Sequence, residues 1–494
     1  MLQRQSPFAQ FTGSDQLRKP SVLISLFCVI MLSGLVMSYF GLLAGFGLAL
    51  LLFFSISLYL LFSYPIFGLY AAIVLGFLLL GSARYLPDFP VGIAMDGLLI
   101  LTYISFFMRR FYEKPDWTPI KKDITLIAIV WFGYSLFELM NPETVSLPAW
   151  LSGVRGVSLY MLLVIPLTLL FIDNQRKLDF VFYLWGCLSL LASIKGILQN
   201  FHGVDRWEQA WLDQGGAVTH IIYGKLRIFS FFSDAGQFGA NQAYSAVMAT
   251  ILFFIGKNWR QKLFFFLVAL SGFYGMLLSG TRGALSIPFA GFAVYFILQK
   301  NWRIMVPGFF VIILLLAFFK FTTIGQGNQY IRRMRTAFDL NNASLQVRLE
   351  NQKILGAYLA TRPFGGGIGQ AGVKAQRYLP NSFLSKIPTD SWYVMIWAEQ
   401  GIVGLLLHLT ILFYIIGRSS FLILFRIRDP ILKRKMAALT AGMFGIMVSS
   451  YGNAVLGTMP TSILIYTSMA LMLNAEKFDY QPDKTSITVI PPNL

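Results

Sequence analysis

Two arginines stand in settings where a guanidinium group can bind an anion. Arg227 lies just before an apolar run, and Arg282 lies in the short turn Ser279-Gly280-Thr281-Arg282-Gly283-Ala284 between two apolar segments. A turn of small residues lets backbone N–H groups and a guanidinium converge on one phosphate oxygen. The alternative without a functional role is an arginine that snorkels, so that its charged end reaches the lipid headgroups. The turn favours anion binding for Arg282. For Arg227, anion binding and snorkelling both remain open.

Two carboxylates can supply acid–base chemistry beside these arginines. Asp390 precedes a long apolar run. There it can accept the proton of an attacking hydroxyl or, equally well, cap the helix that follows. Glu399 lies some two helical turns further along, where an ionised carboxylate needs a partner, and an arginine is the expected one.

Two other polar residues also have structural interpretations. Arg155 either joins the arginine set or pairs with Glu143 or Glu138. His220 lies in a polar segment, where a lone histidine is expected to be solvated. The three histidines and two cysteines lack the spacing of a metal site, so neither a metal ion nor another cofactor is expected.

The elements that position these residues are apolar helices. Of the 494 residues, 56% are hydrophobic and only 13% are charged, against roughly 25% in soluble domains. Long apolar runs exclude a soluble protein and predict an all-α, polytopic integral membrane protein with about fourteen transmembrane helices. The predicted spans are 21–40, 42–63, 65–82, 91–109, 123–140, 151–172, 179–200, 238–256, 262–280, 284–300, 303–320, 392–416, 437–456 and 460–474.

Lysine and arginine positions predict the orientation. With both termini in the cytoplasm and no cleavable signal at the start, 23 of the 40 basic residues fall on the inner side. This distribution explains the net charge of +18 without a nucleic-acid partner. The other side holds segments 201–237 and 321–391, and the second has nine basic against three acidic residues. That excess predicts an anionic ligand or anionic lipid headgroups on the outer face.

The longer outer segment has a structure of its own. Residues Asn341–Arg362 are predicted to form a helix with Ser344 as its N-cap, ended by Pro363. The run Gly365–Gly369 predicts a hinge or a close backbone approach. The predicted apolar face consists of Val347, Ile354, Leu355, Tyr358 and Leu359.

Three segments together resemble the O-antigen ligase/polymerase superfamily of bacterial envelope glycosyltransferases. The first is Arg227 followed by Phe232, Asp234, Phe238 and Asn241, and the second is the Ser279–Ala284 turn. The third runs from Arg348 through Arg362-Pro363-Phe364-Gly365-Gly366-Gly367 to Asp390-Ser391-Trp392-Tyr393 and Glu399-Gln400-Gly401-Ile402-Val403-Gly404. Ligases of this family usually carry His followed by Asn where this chain has Asp390 and Ser391. That difference favours a polymerase over a ligase.

The resemblance implies a glycosyltransferase type C-like fold with one large periplasmic loop, in the bacterial inner membrane. The donor would be a glycan on undecaprenyl pyrophosphate, and the acceptor a sugar hydroxyl of lipid A core or of another lipid-linked glycan. Transfer would be metal-independent and would invert the sugar carbon C1. The implied catalytic residues are Asp390, Arg282 and Arg227, and the implied substrate-binding residues are Arg348, Arg155, Glu399 and Tyr393.

The resemblance also divides the chain. Residues 1–200 would be an N-terminal transmembrane bundle, 201–416 a ligase-like core that includes loop 321–391, and 417–494 a helix pair with a cytoplasmic tail. A flippase for lipid-linked oligosaccharides, or another secondary transporter, is the alternative. Transporters place their charges near the membrane midplane, whereas the outer charges here lie at boundaries and in loops, which favours the enzyme.

Overall fold

A computed structural model describes residues 31, 45–86, 91–111, 114, 116–222, 224–339 and 343–479. These residues are mostly helical, because a chain in lipid must satisfy its backbone N–H and C=O groups internally. The helices are α1 (Gly45–Ser63), α2 (Ile66–Ser82), α3 (Val91–Met108), α4 (Asp123–Phe137), α5 (Leu147–Val154), α6 (Tyr160–Phe171), α7 (Gln175–His202), α8 (Arg206–Trp211), α9 (Ala217–His220), α10 (Ala235–Ile255), α11 (Trp259–Leu278), α12 (Ser286–Leu298), α13 (Trp302–Phe321), α14 (Gln329–Arg335), α15 (Ala343–Leu359), α16 (Phe383–Lys386), α17 (Trp392–Phe421), α18 (Pro430–Ser449), α19 (Thr461–Leu473) and α20 (Ala475–Phe478).

Short turns and one hairpin complete the described elements. A π-helical turn at Arg155–Leu159 joins α5 to α6, and others lie at Leu212–Gly216 and Leu422–Arg426. The strands β1 (Ile221–Ile222) and β2 (Lys225–Leu226) pair antiparallel. The 3₁₀ turns are Arg109–Phe111, Thr118–Ile120, Glu138–Met140, Arg282–Leu285, Thr336–Phe338 and Val373–Arg377.

Eight of the described helical segments are long and apolar enough to cross a membrane, and four shorter apolar helices accompany them. The chain is therefore an all-α membrane protein. Each predicted span from 42–63 onward overlaps a helix, whereas the predicted span 21–40 lies almost wholly outside the described residues. The total of fourteen spans stays a prediction, as does the orientation.

The chain divides into two compact units, Met1–Phe67 and Gly68–Leu494. In the second unit α10 is buried along most of its length and packs against α11, α12 and α18. Small residues permit this close packing. A Cβ atom added to Gly239 would lie only 2.2 Å from Ser279 Oγ, so α10 runs directly against the turn after α11.

Helix α15 confirms part of the sequence prediction. It begins at Ala343, so Ser344 lies in its first turn, and the prediction of Ser344 as the N-cap is wrong. Leu355 and Leu359 are buried in a cluster with Leu384, and Tyr358 packs against it. Two residues of the predicted apolar face, Val347 and Ile354, are exposed.

The glycine run after α15 docks onto α17. Gly366 N–H donates to Ala398 O at 2.9 Å, and Gly367 N–H donates to Glu399 O at 2.8 Å. Gly401 interrupts α17 with φ +65° and ψ −166°. A Cβ on Gly365 would lie 2.3 Å from Gly401 N. Of the two predicted roles, the run therefore has the close backbone approach.

Candidate active site

Arg227 lies against the turn that contains Arg282. Its Nη2 donates to Thr281 Oγ1 at 3.0 Å, and its Nε donates to Ser279 O at 3.3 Å. Its Nη1 donates to Thr219 O at 3.0 Å. The acceptors of these three hydrogen bonds are neutral oxygens, so they orient the guanidinium without neutralising it.

Further arginines surround this position. The pKa of Arg227 is lowered to about 10, first by burial and then by the charge of Arg333, with smaller effects of Arg282 and Arg348 that Asp234 opposes. These four arginines form an arginine cluster, Arg227, Arg282, Arg333 and Arg348. Such a concentration of positive charge is a site for a polyanion.

Arg333 was not predicted. Its Nε on α14 donates to Gly280 O, and Gly280 has φ +57°. A Cβ on Gly280 would lie 2.9 Å from Arg333 Cδ, so this approach requires glycine. In the sequence, Arg332, Arg333 and Arg335 look alike, and only the docking of α14 on the turn distinguishes the middle one.

Arg84 supports the segment between Arg227 and α10. It is buried against the rings of Trp211 and Phe229, with its guanidinium carbon 4.5 and 4.2 Å from their centroids. It donates to Ser233 O at 3.0 Å and also to Phe232 O. The segment so held ends at Asp234, which caps α10. No motif in the sequence pointed to this arginine.

His220 also has a structural role. Its Nε2 accepts the Ala235 N–H at 3.2 Å, and its Nδ1 lies 3.0 Å from Gly216 O. Burial lowers its pKa to about 4, so the ring is neutral near pH 7. The expectation of a solvated histidine is wrong, because the ring packs between Trp211 and Phe229.

Arg348 and Asp390 form an ion pair, with Nε 3.0 Å from Oδ2. The N-cap of α17 is Ser391, whose Oγ accepts from Val394 N at 3.4 Å. The alternative that Asp390 caps this helix is therefore wrong. The pair engages Oδ2, and Oδ1 keeps acceptor capacity for a substrate hydroxyl.

The turn after α18 lies between the ion pair and the turn of Arg282. A Cβ on Gly452 would lie 3.9 Å from both Arg348 Nη1 and Gly283 Cα. Asn453 Nδ2 would contact a Cβ on Gly283, and this buried amide nitrogen has no hydrogen-bond partner among the described residues. This turn carries no charge, so no motif in the sequence pointed to it.

Arg155 has a different partner from those expected. Its Nε lies 2.7 Å from Asp96 Oδ2 on α3, and Glu143 pairs instead with Arg362 at 2.8 Å. Glu138 accepts from Asn141. The prediction that Arg155 pairs with Glu143 or Glu138 is thus wrong.

Glu399 and Tyr393 connect α17 to its neighbours. Glu399 is buried beneath the backbone N–H groups of Gly369 and Ala371. Its Oε2 has no hydrogen-bond partner among the described residues, so the arginine partner that we expected is not found there. The Tyr393 hydroxyl donates to Met447 O at 2.7 Å and so ties α17 to α18.

Comparison with known proteins gives two matches. Residues 265–409 match the family described as O-antigen ligase, and this stretch includes Arg282, Arg333, Arg348 and Asp390. An O-antigen polymerase of Salmonella muenchen is 21% identical over 333 residues, which cover 65% of this chain and 81% of that protein. The family match covers the second and third of the three segments found in the sequence. The chain thus belongs to the O-antigen ligase/polymerase superfamily of bacterial membrane proteins.

Proposed function

We propose that this membrane enzyme transfers a glycan from undecaprenyl pyrophosphate to a sugar hydroxyl at the periplasmic face of the inner membrane. The acceptor would be lipid A core, for a ligase, or another lipid-linked glycan, for a polymerase. The observation that carries the proposal is the arginine cluster, in which neutral oxygens accept from all three nitrogens of Arg227, and Arg333 Nε donates to Gly280 O beside Arg282. The diphosphate of the proposed donor is the anion that this cluster would bind.

In the proposed reaction, the acceptor oxygen bonds to the sugar C1 while the bond from C1 to the diphosphate oxygen breaks. The bonding electrons leave with undecaprenyl pyrophosphate, whose negative charge grows in the transition state. Arg227, Arg282 and Arg333 stabilise that charge in the way a metal ion does elsewhere. Attack opposite the leaving group inverts C1.

Asp390 would accept the proton of the acceptor hydroxyl. The ion pair with Arg348 fixes the direction of the carboxylate, and geometry is the first requirement for proton transfer. Tyr393 and Glu399 would act by positioning α17, at whose start Asp390 stands. Among the proposed substrate-binding residues Arg155 is the least supported, since Asp96 already neutralises its charge.

An Arg282→Ala variant in a deletion strain tests this function. We expect loss of product by at least about a hundredfold, at normal protein abundance, because a transition-state charge loses its partner. The control is Arg303→Ala, an exposed arginine at the start of α13. Full product with Arg282→Ala would contradict the diphosphate role.

The glycan profile of the deletion strain identifies the acceptor. Lipid A core carrying a single repeat unit would indicate a polymerase. Bare core with long chains retained on undecaprenyl pyrophosphate would indicate a ligase. An unchanged lipopolysaccharide profile would contradict both acceptors and favour another glycan or the transporter.

A further inference from the structure

A groove beside the Arg348–Asp390 ion pair has the composition of a sugar-binding site. It encloses about 130 Å³ between the start of α15, the segment before α17 and the turn after α18. Asn351, Gln352 and Tyr451 line it together with the ion pair. Leu345, Pro388 and Val394 make the rest of the lining apolar. Amide and carboxylate groups beside apolar and aromatic ones suit a sugar, whose hydroxyls project from a ring with C–H faces.

The two amides are available for a ligand. Asn351 and Gln352 follow one another on α15, and both are half-buried. Among the described residues neither side-chain amide takes part in a hydrogen bond. Each amide offers two N–H donors and one carbonyl acceptor, and sugar hydroxyls both donate and accept. Neighbouring hydroxyls on one sugar ring can therefore satisfy both groups of an amide.

Tyr451 supplies an aromatic surface on the opposite wall. Its side chain is 58% exposed although it lies in the turn between α18 and α19. The face of an aromatic ring is electronegative and attracts the polarised C–H groups on one side of a sugar ring. A large exposed ring beside unsatisfied amides indicates a ligand surface, because burying it there removes apolar area from water.

The groove adjoins the arginine cluster. The position of a Cβ on Gly452 is 3.9 Å from Arg348 Nη1 and from Gly283 Cα, so one residue separates the groove from the turn of Arg282. Asp390 stands in the groove wall. A sugar in the groove would therefore present a hydroxyl to Asp390 with the diphosphate site behind Gly452.

We propose that this groove is the acceptor-glycan subsite, with Tyr451 stacking on the sugar and Asn351 and Gln352 binding its hydroxyls. The inference rests on the proposed function, because it presumes that the site joins a donor to an acceptor. It assigns the acceptor side of the site to residues outside the arginine cluster. The donor diphosphate and the acceptor sugar then depend on different residues.

Binding of a free glycan separates the two assignments. The full chain in lipid nanodiscs is titrated in parallel with the host's own repeat-unit glycan and with its core oligosaccharide, each freed from its lipid by mild acid. Binding of the acceptor glycan is followed by saturation-transfer NMR. Tyr451→Ala and Asn351→Ala should each weaken binding about tenfold, which is the loss of one good contact. Tyr451→Phe keeps the ring and should bind like the wild type.

Matched control variants come from loop 321–391. Tyr378→Ala and Asn381→Ala change exposed residues that do not line the groove, and binding should stay unchanged. In the wild-type protein the glycan should slow amide hydrogen exchange at residues 348–352 and 450–453. This measurement does not depend on whether a variant folds.

Unchanged binding in Tyr451→Ala and Asn351→Ala, or no exchange protection in the wild type, overturns the subsite. Arg282→Ala should still bind the free glycan while losing product in cells. Product retained by Arg282→Ala would overturn the proposed function instead, so the two failures are distinguishable.

Discussion

Replacing Gly401 with alanine tests whether the docking of the glycine run onto α17 holds the site together. Gly401 has φ +65° and ψ −166°, a conformation that is essentially restricted to glycine. A Cβ at this position would lie 2.0 Å from Pro363 O and 2.5 Å from Gly365 N. Neither backbone can move without breaking the contact between the loop and α17.

The cost follows from strain and lost hydrogen bonds. The residue conformation alone costs alanine about 1–3 kcal/mol. Separating the loop removes the hydrogen bonds Gly366 N to Ala398 O, Gly367 N to Glu399 O and Val403 N to Pro363 O, each worth about 1 kcal/mol. Undocking relieves the strain and the clash but loses these hydrogen bonds, so the variant avoids the larger of the two costs. Because the clash at 2.0 Å adds to the strain, we expect the loop to undock, with a loss of about 3 kcal/mol.

The assay combines thermal unfolding in nanodiscs with product formation in cells. The matched control is Gly417→Ala on the same helix, where an added Cβ meets nothing within 4 Å. Gly401→Ala should lower the unfolding temperature and abolish product, although Gly401 contacts none of the arginines. A Gly401→Ala protein as stable and as active as Gly417→Ala would refute the argument.

Three further outcomes are expected. Arg227→Lys should lose at least about tenfold in product, because an ammonium cannot reach all three acceptors that hold the planar guanidinium. Burial lowers the pKa of His220 to about 4, so the unfolded chain binds a proton first as the pH falls. Stability should drop by about 3 kcal/mol between pH 6.5 and pH 4, and His220→Gln should flatten this dependence of the unfolding temperature on pH. Arg362→Met should change product less than about threefold, since its partly exposed ion pair with Glu143 contributes at most about 1 kcal/mol, and a larger loss would contradict this.

The sequence could predict helices well because lipid allows few other structures. It could also have identified the central helix. Segment Ala235–Ile255 contains Gly, Ala, Asn, Gln and Ser, which suit close helix contacts, whereas Trp302–Phe321 is almost entirely large and apolar. The first is buried and the second is exposed along its length. Composition therefore separates the two environments, and the buried helix has the lower hydropathy of the two.

Contacts between side chains from distant segments were harder to predict. Asp390 and Ser391 are both good N-caps, and the choice of Ser391 is settled by Arg348, which binds Asp390 from 42 residues away. Asn453 carries no charge and lies in no motif, yet it contacts Gly283 beside Arg282. Such contacts depend on how loops from different helices meet, which residue type and local spacing do not encode.

The nature of the hydrogen-bond acceptor distinguishes Arg227 from two other arginines of this fold. Arg155 and Arg362 lie in the same kind of boundary setting as Arg227, but carboxylates neutralise both. The hydrogen bonds of Arg227 go to two carbonyl oxygens and a hydroxyl, which fix the guanidinium and leave its charge available. A buried charge that contacts only neutral oxygens destabilises the folded protein unless an anion neutralises it. Under the proposed function, the diphosphate of the donor is the anion that would neutralise Arg227 in this way.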